Sequence, residues 1–120
     1  MMDPVLNFID GAFVPAQNGT TLNTVNPATG EVITTLPKSS SDDVEAATAA
    51  ALRAAPAWAA TTMNERIAWL HRIADGLEDD RETVAQLESN DTGKPIALAR
   101  RVDAARSVSN FRFFAEFGAQ

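Results

Sequence analysis

The first residues of the chain place apolar and polar side chains in short alternating runs. Residues 7–14 contain two apolar runs on either side of Asp10 and Gly11. An Asp-Gly pair tolerates the positive φ angles of a type I′ turn. The pattern therefore predicts a small β-hairpin close to the start of the chain.

A second hairpin is predicted directly after the first. Residues 21–25 alternate and are rich in β-branched side chains, and residues 31–36 repeat that pattern, which is typical of strands. Between them, Pro27 fixes φ, and Gly30 stands where a turn often needs a left-handed residue. We therefore expect short antiparallel strands within residues 5–37.

From Ser41 onward the apolar residues recur every three or four positions, which predicts helix. Ser41 or Asp42 is suited to cap the first helix, and Asp42 with Glu45 has the spacing of a capping box. One helix face collects small apolar residues, which predicts close packing against a neighbour: Val44, Ala47, Ala51 and Ala55. Pro56 is expected to end this helix, because proline cannot donate the next backbone hydrogen bond.

A second amphipathic helix is predicted from Asn64. Its apolar side is formed by Ile67, Leu70, Ile73, Ala74 and Leu77, and charged residues occupy the other side. Asp79 and Glu82 have the spacing of another capping box, which predicts the start of a third helix.

The third helix ends at a joint in residues 87–95. Gly93 can adopt the left-handed conformation that ends a helix, and Pro95 suits the first turn of the next one. Asp91 and Thr92 are able to bond the backbone groups left free at that corner. The joint therefore predicts that one helix ends here and that another begins directly after it. Helices are expected throughout residues 41–118.

The last helix carries a dense set of aromatic residues. They cover more than one of its faces: Phe111, Phe113, Phe114 and Phe117. Burial of one phenylalanine contributes roughly 1.5–3 kcal/mol, so several exposed rings would be costly. The preceding strands and helices are too few to cover them all, and we expect the helix to pack against further chain. The alternative is a helix buried within a self-contained bundle.

Composition narrows the function classes. The 120 residues contain no cysteine, so they supply no disulfide, no thiolate metal ligand and no cysteine nucleophile. The formal charge of −6 argues against nucleic acid as a partner, since phosphates require a basic surface. No stretch approaches the ~20 apolar residues of a membrane span, and the first residues lack the features of a signal peptide. We expect a cytoplasmic protein without membrane contact.

Few side chains suggest chemistry by themselves. His71, the single histidine, is expected at the flank of a helix in a packing or surface role. The acidic cluster of residues 78–80 is better explained by helix capping and solvation than by a metal ion. Lys94 follows a glycine, but the phosphate-loop pattern is absent, and so is the Gly-x-Gly-x-x-Gly dinucleotide fingerprint.

Taken together, the motifs resemble the N-terminal part of the NAD(P)-dependent aldehyde dehydrogenases. The resemblance covers residues 7–117 and rests on five stretches in order: residues 8–14, residues 25–33, residues 43–47 with Trp58, residues 65–70 and residues 87–95. Residues 97–100 and 110–115 are most similar to the branch that oxidises hydroxymuconic and aminomuconic semialdehydes.

The resemblance implies an α/β fold with a Rossmann-type cofactor domain, of which this chain is the incomplete N-terminal portion. In that family a cysteine attacks the aldehyde, NAD or NADP accepts the hydride and a glutamate activates water; these enzymes are commonly homo-oligomers. None of these catalytic or cofactor-binding residues maps onto this chain. The resemblance thus implies an aldehyde substrate for the full enzyme and no activity for these 120 residues alone.

One family feature does map here, a structural monovalent cation. The resemblance places its ligands at backbone oxygens of Thr24 and Val25 and at the carboxylate of Asp91, and such hard oxygen ligands suit an alkali cation. Asp91 as a hydrogen-bond acceptor at the helix end is an equal alternative.

Three functions remain open from the sequence. The chain is the front of an aldehyde dehydrogenase, or a truncated product that is inert or only docks on full-length relatives, or an unrelated small binding module.

Overall fold

The computed structural model describes residues 2–119. They divide into two compact units. The first contains the residues up to 26 together with residues 30–60, and the second contains residues 27–29 together with the residues from 61 onward. The predicted order, short antiparallel strands and then helices, is confirmed.

The first unit begins with the predicted hairpin. Strand β1 (Asn7–Ile9) pairs antiparallel with β2 (Ala12–Val14), and Asn7 lies opposite Val14. Asp10 has φ 54° and Gly11 has φ 80°. Both central residues of the turn therefore have the positive φ that a type I′ turn requires.

The second hairpin forms a separate two-stranded sheet. Strand β3 (Thr21–Val25) pairs antiparallel with β4 (Val32–Pro37). The register shifts by one residue between Thr24 and Val25, as expected of a β-bulge. Gly30 has φ 75°, which confirms the left-handed residue predicted in the connecting turn.

Helix α1 (Ser41–Ala59) begins and ends differently from the prediction. Its capping box joins Ser40 and Asp43, not Asp42 and Glu45, because Ser40 is the last residue with extended backbone before the helix. Pro56 does not end the helix, which continues to Ala59. Proline removes only its own N–H, and the N–H of Ala60 still donates to the Pro56 carbonyl at 3.2 Å.

The alanine face of α1 is not packed as predicted. Val44 is 61% exposed, and Ala47, Ala51 and Ala55 are exposed as well. Asp43 is the buried residue of this helix. Strand β1 reaches α1 but does not cover this face.

The second unit consists of residues 27–29 and of helices, and its first long helix runs antiparallel to its last. The helices are α2 (Met63–Asp79), α3 (Arg81–Thr92), α4 (Ile96–Leu98), a π-helical segment (Ala99–Ala104) and α5 (Ala105–Gly118). Thr62 and Glu65 form the capping box of α2. The capping box predicted between Asp79 and Glu82 is wrong, because Asp80, not Asp79, is the cap residue of α3 and its side chain makes no cap bond.

The buried apolar residues are all small. They are Ala16 in the first unit and Ala74, Ala85, Ala99, Ala104, Val108 and Ala115 in the second. In contrast, Phe113, Phe114 and Phe117 are 57%, 60% and 64% exposed, and Phe111 is half-buried. The expectation that this unit cannot cover its aromatic helix is therefore confirmed for three of the four rings. Within residues 2–119, none of the helices has the length and apolar character needed to cross a membrane.

Candidate functional site

The joint between α3 and α4 is the most constrained corner of the second unit. Gly93 has φ 71°, and its N–H donates to the Ser89 carbonyl at 2.9 Å, which is the predicted left-handed helix end. The turn of residues 27–29 belongs to the same unit. A Cβ at Gly93 would lie 3.0 Å from the Ala28 backbone nitrogen and 3.3 Å from the Pro27 Cβ. Glycine is thus required here both by its conformation and by the space available.

Side chains satisfy the backbone groups of this corner. The Ser89 hydroxyl donates to the Lys94 carbonyl at 2.7 Å, and the Thr92 hydroxyl donates to the Glu88 carbonyl at 2.6 Å. The Thr92 bond reaches back to a carbonyl within α3 and not to a group left free at the helix end, so the capping role expected of Thr92 stays a prediction. Ser89 was not predicted, because its bond spans the turn and becomes possible only once Gly93 has reversed the chain.

Lys94 connects the joint to the π segment. Its Nζ donates to Glu88 Oε1 at 2.8 Å and to Asp103 Oδ2 at 2.9 Å. The hydrogen bond to Glu88, followed by that to Asp103, raises the pKa of the Lys94 ammonium above its usual value. The Lys94 side chain is only 26% exposed, and its two contacts tie the joint to the π segment. No short-range pattern in the sequence indicates the contact with Asp103.

The residues proposed as cation ligands lie in different units. Thr24 and Val25 are the last residues of β3, at the bulge of the first unit. Asp91 lies exposed in the last turn of α3 in the second unit. The site therefore stays a prediction.

The remaining candidate groups are placed in structural surroundings. His71 is half-buried on α2, and Glu78 forms an ion pair with Arg81 at 3.3 Å. In the described part of the chain, no three His, Asp or Glu side chains come together in a way that would hold a metal ion.

The sequence profile of the aldehyde dehydrogenase family matches residues 13–120. The chain belongs to the aldehyde dehydrogenase family.

Individual relatives agree with this assignment. Human 2-aminomuconic semialdehyde dehydrogenase is 48% identical over 109 residues, covering 91% of this chain and 22% of the relative. The 2-hydroxymuconic semialdehyde dehydrogenase of Pseudomonas sp. strain CF600 is 39% identical over 116 residues, covering 96% and 24%. The solved NAD⁺ complex of an aldehyde dehydrogenase from Bacillus cereus superposes with a TM-score of 0.90 at 38% identity, covering 94% of this chain and 23% of that one.

The family resemblance inferred from the five sequence stretches is thus confirmed, and so is the similarity to muconic semialdehyde dehydrogenases. The chain spans less than a quarter of the length of the aldehyde dehydrogenases it matches. Its folded units correspond to part of an aldehyde dehydrogenase fold, and they contain neither a cysteine nor a Gly-x-Gly-x-x-Gly sequence.

Proposed function

We propose that this chain is the N-terminal part of an NAD(P)-dependent aldehyde dehydrogenase, an enzyme that oxidises an aldehyde to a carboxylic acid. The observation that carries the proposal is the 48% identity to an aminomuconic semialdehyde dehydrogenase over 91% of this chain. The exposed rings of Phe113, Phe114 and Phe117 also support it, since a helix with this surface is suited to pack against additional chain.

The substrate we propose is a semialdehyde of the muconic type. Both named relatives act on such compounds. Residues 97–100 and 110–115, on which the resemblance to this branch rests, fall in α4, the π segment and α5. These elements support the substrate class through similarity, and no side chain among them is assigned contact with the aldehyde.

The described residues contribute structure and not chemistry. The nicotinamide cofactor would accept the hydride in the complete enzyme, and the Gly-x-Gly-x-x-Gly dinucleotide fingerprint does not occur in this chain. The nucleophile has to be a thiolate or comparable group, and this chain has no cysteine. We assign catalytic and cofactor-binding residues to none of its positions.

A structural cation remains part of the proposal. Backbone oxygens of Thr24 and Val25 and the carboxylate of Asp91 are hard ligands suited to Na⁺ or K⁺. The natural polypeptide should melt at a higher temperature in KCl or NaCl than in choline chloride of equal ionic strength, and Asp91→Ala should abolish the difference. Asp80→Ala, which removes an acid from the other end of α3, is the control. Equal melting temperatures in all three salts would exclude the site.

The alternative function is a truncated product that is inert or that docks only on full-length relatives. The absence of cysteine is the observation that favours it. For the complete enzyme we propose a homo-oligomer in the cytoplasm, with the aldehyde as its substrate and neither nucleic acid nor membrane as a partner.

The deciding experiment is an intact-mass measurement of the natural polypeptide, followed by an assay. A mass several times 12.8 kDa, with NADH formed from 2-hydroxymuconic or 2-aminomuconic semialdehyde, is expected. A mass near 12.8 kDa without activity would favour the truncated product. Activity with simple aliphatic aldehydes and none with a muconic semialdehyde would retain the enzyme class and reject the substrate.

A further inference from the structure

The chain from Ile96 to Gly118 is one run of helix interrupted by the π segment, Ala99–Ala104. A π turn closes its hydrogen bonds between residues i and i+5, so it accommodates one more residue than an α turn. An α-helix advances by about 100° around its axis for each residue. The π segment therefore determines, by about 100°, which side chains of α5 are directed toward α2.

In the observed register, α5 places its smaller and apolar positions toward α2. Val108 is 3% exposed, Ala115 is fully buried and Phe111 is half-buried. Gly118 lies beside α2, where an added Cβ would be 3.7 Å from Met63 Sδ. These positions follow a spacing of three, four and three residues, which forms one helix face.

If residues 99–104 closed as regular α-helix, the face of α5 would change. Each following residue would take the angular position that the next residue now occupies. Ser107 and Asn110 would then replace Val108 and Phe111 against α2, and Phe117 would enter the space beside Met63 that Gly118 now occupies. Two polar residues would be buried and a large ring would be forced into a small space, which is unfavourable.

Side chains from both flanks hold the π segment in place. The Arg81 guanidinium donates to the Arg100 carbonyl at 3.4 Å, and the Arg100 guanidinium donates from Nε to Glu82 Oε2 at 2.8 Å. At the other end, Asp103 accepts from Lys94, and its carbonyl accepts from the Ser107 hydroxyl at 2.9 Å. Side chains thus bind two carbonyls within the widened turn, as well as two of its charged groups.

Small residues allow α3 to support the segment from the side. Ala99 and Ala104, at its two ends, pack with Ala85 of α3 in one buried cluster. Because none of these side chains extends beyond a methyl group, the widened turn and α3 approach closely. The segment is therefore fixed by packing as well as by hydrogen bonds.

We propose that the π segment is a register-setting device: the extra residue it accommodates keeps Val108 and Ala115 against α2 and leaves the rings of Phe113, Phe114 and Phe117 exposed. The π segment acts by rotating α5 about its axis, because the same residues wound as regular α-helix would present a different face of α5 to α2. It does not depend on which activity the complete polypeptide has.

Deletion of single arginines tests the proposal in the natural polypeptide, of whatever length. Deletion of Arg101 removes the extra residue from the π segment, so the turn should close as α-helix while the register of α5 is preserved. Deletion of Arg106, a second exposed arginine but one within α5, rotates everything after it. We expect the loss of melting temperature from deletion of Arg106 to be at least about twice that from deletion of Arg101. The substitutions Arg101→Ala and Arg106→Ala are the controls, because each removes the charge without removing a residue from the helix.

Equal losses from the two deletions, or a larger loss for Arg101, would overturn the proposal. If neither deletion variant folds, a crystal structure of the unaltered polypeptide decides. Hydrogen bonds between residues i and i+5 across residues 99–104 are expected there, with Val108 and Ala115 facing α2. Bonds between residues i and i+4 throughout that segment would refute the device.

Discussion

Gly93 and Ala28 approach so closely that a side chain at position 93 would push its neighbours aside. A Cβ at Gly93 would stand 3.0 Å from the Ala28 backbone nitrogen, which is tighter than nine in ten Cβ contacts in proteins, so the neighbouring atoms would have to shift by a few tenths of an ångström. A turn that lies 65 positions earlier in the sequence is thus seated on the corner where α3 ends. Two separate constraints therefore favour glycine at position 93: its left-handed backbone conformation and its close contact with Ala28.

Gly93→Ala is therefore expected to destabilise the protein for two separable reasons. The positive φ costs about 1–2 kcal/mol for a residue with a Cβ, and the contact with Ala28 adds about 1–3 kcal/mol of overpacking. Gly30→Ala is the matched control, since Gly30 has φ 75° but open space around it. Urea unfolding of both variants should show the larger loss for Gly93→Ala, and equal losses would mean that the contact has no cost.

Asp43 should make stability depend on acid pH. Its carboxylate accepts from the Ser40 N–H at 2.8 Å and from the Gln17 N–H at 2.9 Å, and these bonds lower the pKa of Asp43 below its ordinary value. A lowered folded-state pKa stabilises the protein above the unfolded-state value near 3.8, and this contribution is lost as the pH falls through the folded-state pKa. Asp43→Asn should lower the melting temperature at pH 7 and flatten its decline between about pH 5 and pH 2.

The neighbouring Asp42 provides the control for that experiment. It is an exposed acid in the same first turn of α1, so Asp42→Asn removes the same charge without the bonds to Ser40 and Gln17. We expect its acid profile to match that of the unaltered protein. Parallel profiles for all three proteins would show that the Asp43 bonds do not couple folding to protonation.

Lys94→Met should destabilise the joint, because it leaves Glu88 and Asp103 without their shared cation. The raised pKa of Lys94 implies that its contribution is complete below the unfolded-state value near 10.5 and is lost as the pH rises through the folded-state pKa. Melting temperatures at pH 8 should therefore separate the variant from the parent, and the gap should narrow above about pH 11. Lys38→Met, at the other lysine of the chain, which is exposed, should change the melting temperature little. A loss as large as that of Lys94→Met would argue against a stabilising role for the contacts of Lys94 with Glu88 and Asp103.

The free aromatic surface should cause association when the 120 residues are produced alone. Phe117→Ser, which removes a ring that is 64% exposed and stacks on Phe113 at 6.2 Å, should shift sedimentation toward the monomer, because association through this face depends on apolar contact. Phe111→Ser should instead lower the melting temperature without reducing association, since Phe111 is half-buried. A monomeric parent chain with a sharp, reversible transition would contradict this account.

The isolated 120-residue chain is also expected to lack dehydrogenase activity. With no cysteine, it has no thiolate to form the covalent adduct with an aldehyde. Steady NADH formation from purified chain, NAD⁺ and a muconic semialdehyde would refute this expectation. A preparation of the complete natural polypeptide, assayed in parallel, is the positive control.

Local sequence was sufficient wherever the determining interaction spans a few residues. The turn at Asp10 and Gly11, the left-handed Gly30 and Gly93, and the restart at Pro95 follow from φ preferences that each residue carries with it. The Thr62–Glu65 capping box also has a local signal in the sequence, a threonine followed three residues later by a glutamate. The family could be recognised for a similar reason, because the five short motifs are identified by their residues and their order, and neither requires knowledge of the fold.

Tertiary structure alone decided the features that depend on distant or competing contacts. The capping box moved to Ser40 and Asp43, where Asp43 also reaches Gln17. The π segment arises where Arg81, Glu82 and Lys94 meet a helix whose sequence alone favours a regular turn. These outcomes depend on the sum of contacts from several elements, and hydrophobic periodicity contains no information about that sum.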